Sequence, residues 1–186
     1  IEYTKTQIEN EIDGTPAGAV LQTDSNGHGT EVTGAAAGNG ASETSRRYRG
    51  MAPKADIVVV KAGDGSFTDE RVKDALTYAQ KISITESKPV VVNLSLGGQS
   101  NAHDGTSTLD EAVDSFTASG NGRVAVVAAG NAGNESIHVT GTVGTSSTED
   151  LTITVPSYSP ITGDVNDVFQ LELWWNNGDN TTVTLV

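Results

Sequence analysis

The chain has three histidines, and one of them, His28, stands between two glycines, Gly27 and Gly29. The residues before it, Asp24-Ser25-Asn26-Gly27, form a turn signal, and Thr30-Glu31-Val32-Thr33-Gly34-Ala35-Ala36-Ala37 after it reads as a helix of small side chains. An imidazole at a helix start is exposed, and the positive end of the dipole favours its uncharged form, which can accept a proton. That is the chemistry of a general base that later acts as general acid. Taken alone, Gly-His-Gly is as readily a glycine-rich turn with an incidental histidine. A second candidate is Asn131, at the end of the apolar run that closes on Ala128-Ala129-Gly130. Its side-chain NH2 can serve an anionic oxygen, although Gly-Asn is also ordinary turn chemistry. With no cysteine there is no thiolate nucleophile, no disulfide and no Cys metal site.

These side chains need elements to hold them. Residues 57–60, 90–94 and 124–128 are nearly continuous apolar runs, expected as strands buried on both faces. Residues 68–81 are expected as a helix with Val72, Leu76 and Ala79 on one side, and Asp69 and Glu70 early in it suit the dipole. A second helix is expected over 108–118, with Thr108 and Glu111 as its capping box. Strand, helix, strand, helix, strand predicts an α/β fold, a parallel sheet with flanking helices. Ligands collect outside the carboxyl ends of such strands, where Asn131 and Ser95-Leu96-Gly97-Gly98 fall. Near the start, Ile8 and Ile12 hint at a short helix, and Asp13 reads as a loop residue. Gly34 and Gly38 thin one side of the His28 helix for close approach of backbone.

After Asn134 the pattern becomes alternating. Residues 151–155 and 169–173 read as half-exposed antiparallel strands, with a turn at Asn176-Asn177-Gly178-Asp179 before 181–186. The expected division is therefore 1–134 as a partial parallel-sheet domain and 135–186 as part of an all-β unit.

Four segments, in order, carry a resemblance. Asn26-Gly27-His28-Gly29-Thr30-Glu31-Val32-Thr33-Gly34 resembles the His-Gly-Thr-His-Val-Ala-Gly motif of the subtilisin-like serine proteases. Glu31 and Thr33 depart from it at positions that transfer no proton. Gly50-Met51-Ala52-Pro53 is similar to the family's Gly-Val-Ala-Pro, Ser95-Leu96-Gly97-Gly98 to its substrate-binding segment, and Ala128-Ala129-Gly130-Asn131 to its oxyanion segment. The resemblance implies a partial subtilisin-like fold and peptide-bond hydrolysis. It makes His28 the base, Asn131 the oxyanion donor, and Ser95, Leu96, Gly97 and Gly98 the strand that pairs with a protein or peptide substrate. It makes Gly63 and Gly65, in residues 63–67, the opposite wall of the cleft. Gly133-Asn134-Glu135-Ser136-Ile137-His138 and Leu171-Glu172-Leu173-Trp174-Trp175 resemble parts of a β-rich domain that some bacterial members insert before the nucleophile.

The triad does not close within these residues. Asp13-Gly14-Thr15 lacks the apolar strand that should precede the orienting Asp. Gly105-Thr106-Ser107 precedes Asn131 instead of following it, and Gly144-Thr145-Ser146 lacks the right sequel, so neither Ser107 nor Ser146 is given a catalytic role. The chain starts at Ile1 and its single methionine is Met51, so truncation at both ends is expected, with the Asp and Ser outside and the fragment inactive. A degenerate scaffold kept for protein binding is the competing reading.

A net charge of −13 excludes a nonspecific nucleic-acid binder, and no apolar stretch is long enough for a membrane helix. His103 and His138 read as loop residues, and no metal ligand set is expected. No cofactor is expected either, although calcium, common in the family, is compatible with so many carboxylates. An acidic chain without cysteine, together with the family, suggests secretion or the cell envelope. Cut sheet edges suggest self-association.

Overall fold

Three of the helices described below start where a nearby Thr, Asp or Ser side chain accepts a backbone amide of the first turn. A computed structural model describes every residue except 17, 119, 121, 156, 161, 164–167, 176, 177, 179, 185 and 186. The chain forms two compact units, Ile1–Tyr78 and Ala79–Val186.

In the first unit, α1 covers Lys5–Asp13. Thr4 Oγ1 accepts the Gln7 amide while Gln7 Oε1 accepts the Thr4 amide, a reciprocal box that satisfies two backbone donors. The helix ends at Gly14, whose φ of 77° is left-handed. Asp13 is thus the last helical residue and not a loop residue. The stop signal at Gly14, beyond the apolar pair, sets the boundary.

The second helix, α2, runs over His28–Ala37. Its last carbonyls are taken up by one segment: the Gly50 amide donates to Gly38, that of Met51 to Ala35 and that of Ala52 to Ala36. The Gly-Met-Ala-Pro motif therefore closes the end of α2, satisfying groups that every helix leaves open. The approach is close, since a Cβ on Gly50 would lie 2.7 Å from backbone atoms of Gly34, Ala37 and Gly38.

The third helix, α3, spans Asp69–Glu86 and passes through the boundary between the units. Val72 and Leu76 are buried as expected, and Ala79 is half-buried. The helix continues beyond Lys81 through β-branched residues of modest helix propensity. There buried Ser83 donates its hydroxyl to the Lys88 carbonyl and accepts the Lys88 amide at its own carbonyl, a local pair of bonds that closes the end of the helix.

The second unit contains β1 (Val90–Leu94), α4 (Thr108–Ala118) and β2 (Arg123–Val127). The strands pair in parallel, with Val90 opposite Arg123 and Leu94 opposite Val127. Leu94 and the fully buried Phe116 of α4 are the core here, with α4 against β2. The cap of α4 lies one residue earlier than expected. Ser107 Oγ accepts the Asp110 amide, and Asp110 Oδ2 accepts from the Ser107 amide and hydroxyl. The box is Ser107 with Asp110, not Thr108 with Glu111, because the Asp side chain already reaches the cap.

Three expectations about strands need correction. The paired strands are not buried on both faces: α4 covers one face, while Val91, Val124 and Val126 lie 68%, 48% and 51% exposed on the other. Residues 57–60 form no strand and are 43–73% exposed. An apolar run marks residues that favour burial, but a strand also needs a neighbour for its ladder. Among the described residues the only sheet is β1–β2. For the same reason residues 151–155 and 169–173 alternate without forming a ladder. Of the turn expected at Asn176–Asp179, three residues lie outside the described set. No helix among the described residues is long and apolar enough to cross a membrane.

Candidate active site

Gly27 precedes α2 with a φ of 87° and has no side chain with which to cap it. Asp24 supplies the cap from further upstream. Its Oδ2 accepts the Thr30 amide and the Thr30 hydroxyl, both at 2.7 Å, and its Oδ1 accepts the Gly27 amide at 2.9 Å. The Thr30 hydroxyl, then the Thr30 and Gly27 amides, hold this carboxyl at about 2, well below its ordinary 3.8. The His28 amide faces Asn26 Oδ1 at 3.4 Å, and its imidazole is exposed on the first residue of the helix.

A second loop is tied to this turn. Lys61 Nζ donates to the Thr23 carbonyl at 2.8 Å and pairs with Asp64 at 2.6 Å, while Ser25 Oγ donates to Asp64 at 3.3 Å. Lys61 draws the Asp64 carboxyl below its usual range. The loop between these contacts carries Gly63 and Gly65. Gly65 has a φ of 84°, and a Cβ on Gly63 would overlap the Ser66 carbonyl, so both positions require glycine. A cleft of about 390 Å³ lies beside this loop, lined by residues that include Val60, Arg71, Asp74 and Tyr78. None of the residues expected at the site lines it.

In the second unit, the parallel register places the segments after Leu94 and after Val127 at the same edge of the sheet. Ser95 and Leu96 are half-buried, and Ser95 Oγ accepts from Asn93 Nδ2. Gly97 and Gly98 have open space where a side chain would lie, which leaves their backbone accessible. The Ala128 amide extends the ladder by one bond to Leu94, and Gly130, at a φ of 91°, then turns the chain so that Asn131 stands exposed. His28, Gly63 and Gly65 thus gather in the first unit. Ser95, Leu96, Gly97, Gly98 and Asn131 gather in the second.

Asp24, Lys61, Ser25 and Asp64 were not singled out from the sequence as parts of this site. Asp24 had a signal, an Asx-type turn ahead of a helix start. Lys61 and Asp64 pair with each other at i,i+3, but their bonds to Thr23 and Ser25, 38 and 39 residues away, had no signal.

Fold and site define an α/β protein with a histidine on a capped helix and two loop glycines in one unit and, in the other, candidate groups beyond the carboxyl ends of two parallel strands. Comparison with known proteins narrows this. Residues 1–178 match the peptidase S8 model, described as the subtilase family. Subtilisin DY of Bacillus licheniformis is 36% identical over 63% of this chain and 39% of its own length. Thermitase of Thermoactinomyces vulgaris is 41% identical over 59% of this chain and 35% of its own. The major intracellular serine protease of Bacillus subtilis is 35% identical over 60% and 32% respectively. A solved structure of the Clostridium perfringens CspB protease superposes with a TM-score of 0.65 at 33% identity, covering 73% of this chain and 30% of that one. The chain belongs to the subtilase family. It spans 32–39% of the length of these curated relatives.

Proposed function

We propose that the protein carrying these residues is a serine endopeptidase that hydrolyses peptide bonds by acyl transfer. His28 takes the proton of a serine hydroxyl as it attacks the scissile carbonyl, and returns it to the leaving amine. Asn131 donates to the oxyanion of the tetrahedral intermediate, with its NH2 fixed before charge develops. Residues 95–98 pair with the substrate backbone as an added strand, and Gly63 and Gly65 form the facing wall. The observation that carries the reading is that His28 occupies the first position of α2, exposed, within the stretch matched by the family. The relatives' names as serine proteases support it.

In this reading the orienting Asp and the nucleophilic Ser lie outside the 186 residues, and these residues alone hydrolyse nothing. The chemistry requires no cofactor. Residues 1–134 belong to the catalytic domain and 135–186 open a β-rich insert. The substrates are proteins or peptides, and the protein is secreted or lies at the cell envelope, a placement that cell fractionation tests.

Fluorophosphonate labelling tests the activity. The full-length gene product should be labelled, and His28→Ala should abolish the label. A wild type that takes no label would overturn the reading and favour a scaffold kept for binding. Asn131→Ala should lower kcat by about 10²–10³-fold with little change in KM, the range found for such a donor within this family. Peptide hydrolysis by the purified 186-residue polypeptide would refute its proposed inactivity.

A further inference from the structure

His103 and His138 lie 35 residues apart in the chain, one beyond the segment that follows β1 and the other beyond Asn131. Folding brings their rings to a centroid separation of 5.7 Å with 31° between the planes. Both side chains are exposed. We propose that the two imidazoles form a binding site for a divalent transition-metal ion, one that favours nitrogen ligands.

Three features support this. The first is spacing. Two imidazoles bound to one tetrahedral ion, with metal–nitrogen bonds of about 2.0–2.1 Å, place their ring centroids about 5.3 Å apart. The observed 5.7 Å is a few tenths wider, a difference that a small rotation of two exposed side chains closes, and a bare aromatic contact also spans it.

The second feature is the state of the His103 ring. Its Nε2 lies 3.1 Å from the Gln99 carbonyl. A carbonyl only accepts, so Nε2 carries the hydrogen in this bond, and in the neutral tautomer that makes it, Nδ1 is the nitrogen with the lone pair. Metal-binding histidines commonly show this arrangement: one ring nitrogen donates to a carbonyl, which fixes the ring and strengthens the other nitrogen as a ligand.

The third is the loop that presents His103. Asp104 Oδ1 accepts the Thr106 amide and hydroxyl at 3.0 and 2.6 Å, and the Asn101 amide donates to Glu172 at 3.3 Å. These bonds anchor the loop on both sides of the ring.

The ligand class follows from the donors. Two neutral nitrogens suit Zn²⁺, Ni²⁺ or Cu²⁺, whereas Mg²⁺ and Ca²⁺ demand oxygen. Asp104 Oδ1 is taken up by the Thr106 amide and hydroxyl. No group of three or more His, Cys, Asp or Glu side chains converges among the described residues. The protein therefore supplies two ligands, and water completes the shell of an exchangeable ion. Bound there, the ion would link the loop after β1 to the segment beyond Asn131. This inference does not depend on the catalytic reading.

The test is a titration of the purified chain with ZnCl2, NiCl2 and CuCl2 in a weakly coordinating buffer. Calorimetry gives stoichiometry, and NMR follows the three imidazoles with the diamagnetic Zn²⁺. One ion per chain is expected, with His103 and His138 perturbed together and His28 unaffected. Cu²⁺ should bind more tightly than Ni²⁺ or Zn²⁺, and excess Mg²⁺ should not compete. His103→Ala and His138→Ala should each weaken binding ~10-fold or more. Because both residues are exposed, their variants should keep the wild-type circular dichroism. Absence of binding, or binding that either variant leaves unchanged, would overturn the proposal. The same titration of the full-length gene product checks the result in the larger protein.

Discussion

Asp24 performs for α2 what Gly27 cannot. Its carboxylate holds three donors at the helix start, and those bonds keep it ionised down to about pH 2. Its folded pKa lies below the ordinary value of 3.8, so the stabilisation it gives is complete above that value. That stabilisation is lost as pH falls from there through about 2. Asp24→Asn should therefore lower stability at neutral pH and flatten this part of the acid limb, leaving the two proteins closer in stability at pH 2 than at pH 6. Denaturant melts of both across that range measure it, and parallel curves would refute the assignment. The comparison also separates what sequence can and cannot reveal at this scale. His28 and Asn131 were legible because glycines and short spacings surround them. The partners that Lys61 and Asp64 find in Thr23 and Ser25 depend on where the two loops meet after folding, and those cross-loop bonds leave no local pattern.

At the scale of elements, small residues and caps decide where each piece stops. Helix positions were legible because apolar spacing and caps are local. The exact cap of α4 was not, since Thr-x-x-Glu and Ser-x-x-Asp overlap at residues 107–111 and only side-chain reach selects between them. Residues 57–60 show the opposite limit: the run was visible, but the neighbour that a ladder needs is a non-local fact. Gly34 within α2 and Gly50 against its end can be told apart by experiment. Gly50→Ala would place a Cβ 2.7 Å from three backbone atoms at the helix end and should cost about 1–3 kcal/mol. A Cβ on Gly34, inside the helix, meets nothing within 4 Å, so Gly34→Ala should stabilise by up to about 1 kcal/mol. Thermal melts of the two variants should move in opposite directions. Equal shifts would mean that the segment containing Gly50 does not close α2 as described.

At the scale of the whole molecule, the exposed face of β1–β2 leads to a prediction about behaviour in solution. Val91, Val124 and Val126 share that face because partners in a parallel register point the same way, and each is about half exposed or more. Among the described residues the sheet has two strands, so its outer edges also offer backbone groups for pairing. Full burial of one such side chain is worth about 1.5–3 kcal/mol, and three together can drive association. The net charge of −13 opposes it through repulsion between copies, a repulsion that salt screens over about 10 Å at 0.1 M. Apolar attraction and charge repulsion thus respond differently to salt, which makes the balance measurable. Light scattering of the purified chain should show concentration-dependent association that strengthens from low to moderate salt. Val91→Thr combined with Val126→Thr keeps β-branched residues in both strands while reducing the apolar area, and should shift the species toward monomer. A wild type that stays monomeric at every salt concentration would show that this face does not drive assembly. Association that weakens with salt would instead assign it to complementary charges.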